Sequence, residues 1–167
     1  SKYLLDVNLG YNGSENFAPE NRFGFFPAVS LGWTLSEENF LKNKVSWLDF
    51  LKLRASIGTV GNDRLGSNRF LYLPDSYNAE SGSYSFGTTT PTNLIGASEA
   101  TLGNPNVTWE KALKQNYGFD ARFLKGNLSL SVDVFKEMRS NILTTRNTVP
   151  SILNISLPAM NIGEVEN

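Results

Sequence analysis

Apolar and polar side chains alternate one by one along much of this chain, the period of a β-strand whose two faces meet different surroundings. Five segments carry the pattern. In the first, Tyr3, Leu5, Val7, Leu9 and Tyr11 share one face, with Asp6, Asn8 and Gly10 on the other. In the second, Val29, Leu31, Trp33 and Leu35 oppose Ala28, Ser30, Gly32 and Thr34. The third sets Leu51, Leu53, Ala55 and Ile57 against Lys52, Arg54, Ser56 and Gly58. The fourth sets Tyr117, Phe119, Ala121 and Phe123 against Asn116, Gly118, Asp120 and Arg122. The fifth sets Leu128, Leu130, Val132 and Val134 against Ser129, Ser131 and Asp133.

The connections alternate as well. A polar loop over 12–22 follows the first strand. After the second comes a short helical turn within 36–49, where Ser36 is placed to cap, Glu37 and Glu38 suit the positive helix start, and Lys42 and Lys44 suit its end. The longest connection, about 59–107, follows the third strand. Between the fourth and fifth there is only Lys125-Gly126-Asn127, where Gly126 or Asn127 can take positive φ. A polar stretch, 144–158, follows the fifth. Residues 163–167 offer no terminal strand or cap, and both ends read as cuts through a longer protein. Long connections thus fall on one side and short ones on the other, as in bacterial outer-membrane barrels.

Two architectures fit this pattern. In a β-sandwich the apolar faces pack on a second sheet; in a membrane barrel they meet lipid while the polar faces line the lumen. The predicted strands, about 9 to 13 residues, are near the ~9–11 that cross a bilayer when tilted and well above the globular mode of ~5–6. Tyr3, Tyr11, Trp33 and Phe123 stand near the ends of apolar faces, where amphipathic rings suit a membrane interface, and equally suit the rim of a soluble core. Lys52, Arg54, Asp120 and Arg122 suit a hydrated interior. The expected fold is therefore all-β: five to six antiparallel strands of a larger transmembrane barrel, with one short helical turn on the periplasmic side. A glycan-binding sandwich remains the rival. Five strands cannot close a transmembrane barrel, which needs about eight.

Composition narrows the chemistry. Lys plus Arg total 15 against 16 Asp plus Glu, for a formal net charge of -1, which gives no electrostatic reason to expect nucleic acid. The absence of cysteine rules out disulfides and thiolate metal sites, and the absence of histidine removes the commonest general base and metal ligand. Aromatics reach 12% and charged residues only 19%, against roughly 25% in soluble domains. Asp63, Asp75, Glu80 and Glu99 are scattered along a loop and form no catalytic constellation, so neither an enzyme nor a cofactor is expected.

Several stretches go beyond pattern. Residues Asn21-Arg22-Phe23-Gly24-Phe25-Phe26-Pro27-Ala28-Val29-Ser30-Leu31-Gly32-Trp33, then Ser36-Glu37-Glu38-Asn39-Phe40-Leu41, resemble a hairpin of TonB-dependent receptors of the SusC/RagA type from Bacteroidetes. Leu51-Lys52-Leu53-Arg54-Ala55-Ser56-Ile57-Gly58-Thr59-Val60-Gly61-Asn62, Gly103-Asn104-Pro105-Asn106-Val107-Thr108-Trp109-Glu110 and Asn161-Ile162-Gly163-Glu164-Val165-Glu166-Asn167 resemble further segments, the last standing just before another strand. The resemblance covers nearly the whole chain, 1–167, as part of a receptor barrel domain in the bacterial outer membrane, with 59–107 extracellular. It implies a 22-stranded barrel with a plug, uptake driven through TonB, a SusD-like lipoprotein as lid, and oligosaccharide or, as the known exception, peptide substrates. The TonB box and plug fall outside this stretch.

The long connection has the most binding character. Arg69, Phe70, Tyr72, Asp75, Tyr77, Asn78, Tyr84 and Phe86 mix ring faces with hydrogen-bonding groups, the mixture a sugar needs for its C–H faces and its hydroxyls. The same aromatics also suit simple packing of the loop on itself or on a lid protein. Lys52, Arg54, Asp120 and Arg122 suit either ion pairs to a plug or a plain hydrated wall.

Overall fold

The structure, a computed structural model, describes residues 1–42, 45, 47–66, 69–74, 78–79, 84–87, 92–98, 103–145 and 158–167. Among the described residues ten strands follow in chain order: β1 (Tyr3–Gly13), β2 (Phe23–Thr34), β3 (Leu48–Asn62), β4 (Asn78–Ala79), β5 (Tyr84–Phe86), β6 (Thr92–Leu94), β7 (Ala97–Ser98), β8 (Glu110–Phe123), β9 (Leu128–Thr144) and β10 (Met160–Glu166). Six of them form one sheet in the order β1-β2-β3-β8-β9-β10, every neighbour antiparallel. The long connection carries two small pairs of its own, β4 with β7 and β5 with β6.

The register aligns the alternation of each strand with that of its neighbour. Leu5, Leu31, Ala55, Tyr117 and Val134 form one row across five strands, and Tyr3, Trp33, Leu53, Phe119 and Val132 form the next. On the opposite face the rows read Leu4, Gly32, Arg54, Gly118, Asp133 and Asp6, Ser30, Ser56, Asn116, Phe135. A slip of one residue would exchange the two faces, so the continuous apolar face fixes the register. Among the described residues no second layer covers it: Leu5 is 69%, Leu9 70% and Val134 64% exposed.

The apolar band is oblique to these rows. On β1 it runs from Tyr3 to Tyr11, centred on Val7. The row through Val7 continues through Val29, Ile57 and Gln115 to Lys136, which lies past the end of the apolar run of β9 at Val134.

Pro27 shows how the strands tolerate a residue without an amide hydrogen. It stands opposite Leu9 of β1, one residue before β2 begins to pair with β3 at Ala28, so one side of the strand has no β3 ladder to interrupt. The buried cluster Phe17, Phe26, Leu65, Val107 and Trp109 gathers where the long connections leave the sheet.

Two local expectations are corrected, and a third is met and extended. The turn after β2 is a single 3-10 turn, Leu35–Glu37, flanked by Thr34 with no side-chain cap. Thr34 is still paired in the sheet, opposite Lys52, so Ser36 falls inside the turn instead of capping it. Lys42 pairs with Glu37 at 3.0 Å, and Lys44 lies outside the described residues. In the β8–β9 turn, Gly126, one of the two residues expected there, takes positive φ (84°), and Leu124 (55°) and Lys125 (55°) join it. Leu124 and Lys125 are held there by the neighbouring turn: the Leu124 amide donates to the Trp47 carbonyl at 3.0 Å, and the Gly126 amide to Asp49 Oδ2 at 3.0 Å. Residues 163–166, expected to lack a strand, belong to β10. Its alternation is broken by register shifts around Gly163, which hid it from a period-two reading.

Candidate functional site

The polar face of the sheet carries a compact charge cluster. Arg54 Nη2 donates to Asp120 Oδ1 and to Asp133 Oδ2, each at 3.2 Å, and Ser131 Oγ donates to Asp120 Oδ1 at 2.6 Å. Arg54 Nε lies 2.9 Å from Asp120 Oδ2 but has no well-aligned acceptor, so that contact is coulombic more than a hydrogen bond. To reach Asp133 on β9 the guanidinium crosses β8 over Gly118. A Cβ there would stand 2.5 Å from Asp133 Oδ1 and 3.2 Å from Arg54 Nη2, so the bare backbone makes the crossing possible. Lys52 stands opposite Asp120 in the register, and Arg122 lies over the Phe50 ring at 5.2 Å. All four predicted polar-face residues therefore share one face, and the sequence reading missed Asp133, Ser131 and Gly118 as their partners.

A concave region of about 510 Å³ adjoins this cluster, bordered by Asp6, Ser30, Lys52, Arg54, Ser56 and Asn116 among others. Asn116 Oδ1 is buried there without a hydrogen-bond partner. Such a surface offers both donors and acceptors to a polar chain or ligand, with no group arranged for covalent chemistry.

At the short-turn end, one carboxylate ties strand ends together. Glu38 Oε1 accepts from the Tyr3 hydroxyl at 2.7 Å and the Trp33 indole at 3.2 Å, while Lys2 Nζ lies 3.5 Å from Oε2. The Tyr3 hydrogen bond, followed by that of Trp33, holds the Glu38 carboxyl below the usual carboxylate range. Tyr3 and Trp33 stack at 6.3 Å, Trp47 stacks on Phe123 at 5.7 Å, and at the other end Tyr11 lies parallel to Phe23 at 5.2 Å. Each of the four predicted end-of-strand aromatics has a ring partner. Phe23 and Trp47 went unnoticed because neither lies in a segment with a clean alternation.

The long connection is described in part. Arg69 lies over the Phe70 ring at 5.0 Å, Phe70 meets Tyr72 edge-on at 6.4 Å, and Tyr84 meets Phe86 at 4.7 Å. Tyr84 and Phe86 are exposed on β5, which pairs with β6. Asn78 stands in β4 opposite Ser98, while Asp75 and Tyr77 lie outside the described residues. The structure thus brings Arg69, Phe70 and Tyr72 together and Tyr84 and Phe86 together, as two separate aromatic groups. Among the described residues, no cluster of three or more acidic groups is placed to hold a metal ion.

Residues 2–167 match the model of a family described as TonB dependent receptor-like, beta-barrel. The chain belongs to the TonB-dependent receptor β-barrel family. It is 35% identical over 170 residues to TonB-dependent receptor P39 of Formosa agariphila, an alignment covering 100% of this chain and 15% of that protein. It is also 35% identical over 169 residues to TonB-dependent receptor SusC of Bacteroides thetaiotaomicron, covering 100% of this chain and 16% of SusC. A chain of the RagAB peptide importer in its closed-closed state superposes with a TM-score of 0.74 at 24% identity, covering 98% of this chain and 17% of that one. This TonB-dependent receptor segment therefore spans 15–16% of the length of the curated relatives it matches. The six-stranded antiparallel sheet is a section of the family's barrel, as its alternation and its register indicate.

Proposed function

We propose that this chain is wall and mouth of a TonB-dependent transporter in the bacterial outer membrane, importing a bulky nutrient. The observation that carries the reading is the single-layer sheet, with a continuous apolar band on one face and a mostly polar opposite face, in a chain of this family. Lipid is the surrounding that satisfies such an apolar face, and a water-filled lumen satisfies the polar one. A glycan-binding sandwich needs a second sheet on the apolar face, and the described residues supply none.

In this reading Lys52, Arg54, Asp120 and Arg122 face the lumen, and Tyr3, Tyr11, Trp33 and Phe123 mark the two membrane interfaces. The long connection lies outside the cell. There Arg69, Tyr72, Asp75, Tyr77, Asn78, Tyr84 and Phe86 contact substrate or a SusD-like lipoprotein lid. Oligosaccharides are the favoured substrate class, because exposed rings beside polar groups suit sugars. Peptides are the second, since a structural neighbour is a peptide importer. Energy coupling through TonB and closure by a plug belong to other parts of the receptor. No enzymatic step or cofactor enters the reading.

Uptake assays test it. A strain lacking the receptor gene, offered a panel of glycans and peptides, should lose uptake of one class and regain it on complementation. Wild-type uptake of every compound, with the receptor expressed in the parent strain under the same conditions, would count against an importer of either class.

A further inference from the structure

The buried cluster at the long-connection end joins parts of the chain that the sheet itself keeps apart. Trp109, one residue before β8, packs on Phe17 of the 14–22 connection and on Phe26 of β2, both with ring centroids 5.2 Å away. β3 lies between β2 and β8 in the sheet, so this contact passes over it. It does so at Gly61, where any Cβ would overlap the Phe26 ring. The Trp109 indole donates to the Arg22 carbonyl at 3.2 Å, and Asn21 Nδ2 donates to the Pro105 carbonyl at 3.2 Å.

The same 103–109 stretch is fastened on its other side. Thr108 donates its amide to Asn161 Oδ1 at 3.0 Å, and Asn161 Nδ2 returns a bond to the Thr108 carbonyl at 2.9 Å. This is the reciprocal pairing of a strand ladder, made here by a side chain. Asn161 Nδ2 also donates to the carbonyl of Asn141 at 2.7 Å, a residue of β9 held at φ 58°. Asn104 Nδ2 donates to the Ala159 carbonyl at 2.8 Å. The roots of all three long connections, 14–22, 63–109 and 145–159, therefore converge on seven consecutive residues, 103–109, whose Val107 is fully buried.

We propose that residues 103–109 act as a clasp that couples the three long connections, so that loosening one root loosens the others. Packed aromatic rings and paired amides have few intermediate arrangements, and such a cluster opens as a unit. Phe17 and Asn161 hold neighbouring residues of the stretch from opposite sides, one from the β2 side and one from the β10 side. Both act through the stretch between, Phe17 on Trp109 and Asn161 on Thr108, and are positioning residues for the rim.

Hydrogen exchange on the full-length receptor in detergent tests the coupling from both sides. Phe17→Ala should speed amide exchange at 159–161 as well as at its own segment. Asn161→Ala should speed exchange at 14–18, which it does not touch. Each remote acceleration should reach about ten-fold or more, while the amides of β8 and β9 away from the rim keep their protection. Heat-modifiable migration checks that the barrel has assembled, and if one variant fails to assemble the other is read alone. Acceleration confined to the substituted segment and its direct partners would overturn the proposal.

Discussion

At the scale of single residues, the structure turns on small atoms in crowded places. Gly118 lets Arg54 reach across a strand to Asp133, so Gly118→Ala should cost stability on the order of 1–2 kcal/mol. Most of that cost is steric, since a pair with side chains 37% and 41% exposed contributes at most about 1 kcal/mol. Denaturant unfolding of the full-length receptor should show the loss shrinking when Asp133→Ala is added, because the added methyl then has room. An equal loss in both backgrounds would place the strain elsewhere. Glu38 supplies a second expectation. Its carboxyl is held below the ordinary range by Tyr3, so the stabilisation is complete above the unfolded value, about 4.3, and is lost as pH falls through the folded one. Hydrogen exchange over 35–42 should therefore show extra opening on acidification, and Glu38→Gln should abolish that extra component. Acid-induced opening of equal size in the variant would clear Glu38 of the role.

At the scale of elements, the five alternating segments were legible because each pairs with a neighbour of matching face. The parts that were not legible have physical causes. β10 carries register shifts that break its period, and the start of β2 at Phe23-Gly24-Phe25-Phe26 places a large ring on the polar face, where Trp109 covers it. The clasp draws on residues distant in sequence, and only the fold brings Phe17 to Trp109. Of the candidate site, residue types gave the shared face of Lys52, Arg54, Asp120 and Arg122, but the partner Asp133 follows from register alone. The long connection tests as an element too. Deleting 72–86 should weaken substrate capture or lid docking while the receptor keeps its heat-modifiable form. Loss of barrel assembly would show the loop to be structural and remove its proposed binding role.

At the scale of the whole molecule, the described residues form a sheet with two open edges and an uncovered apolar face, which water does not satisfy. Expressed alone without detergent, this segment should aggregate, as light scattering or size exclusion would record. A sharp monomeric peak with cooperative unfolding in plain buffer would contradict the membrane reading. The slant of the apolar band carries the geometry further. From β1 to β9 its centre slips by about five residues over four strand steps, and at ~3.4 Å per residue and ~4.8 Å per step the strands lean roughly 40° from the barrel axis. Polarised infrared spectra of the oriented receptor measure that lean directly. On the membrane reading, Lys136, level with Val7 along the ladder, and its ion-pair partner Glu166 rise with the slope to headgroup depth, out of the hydrocarbon.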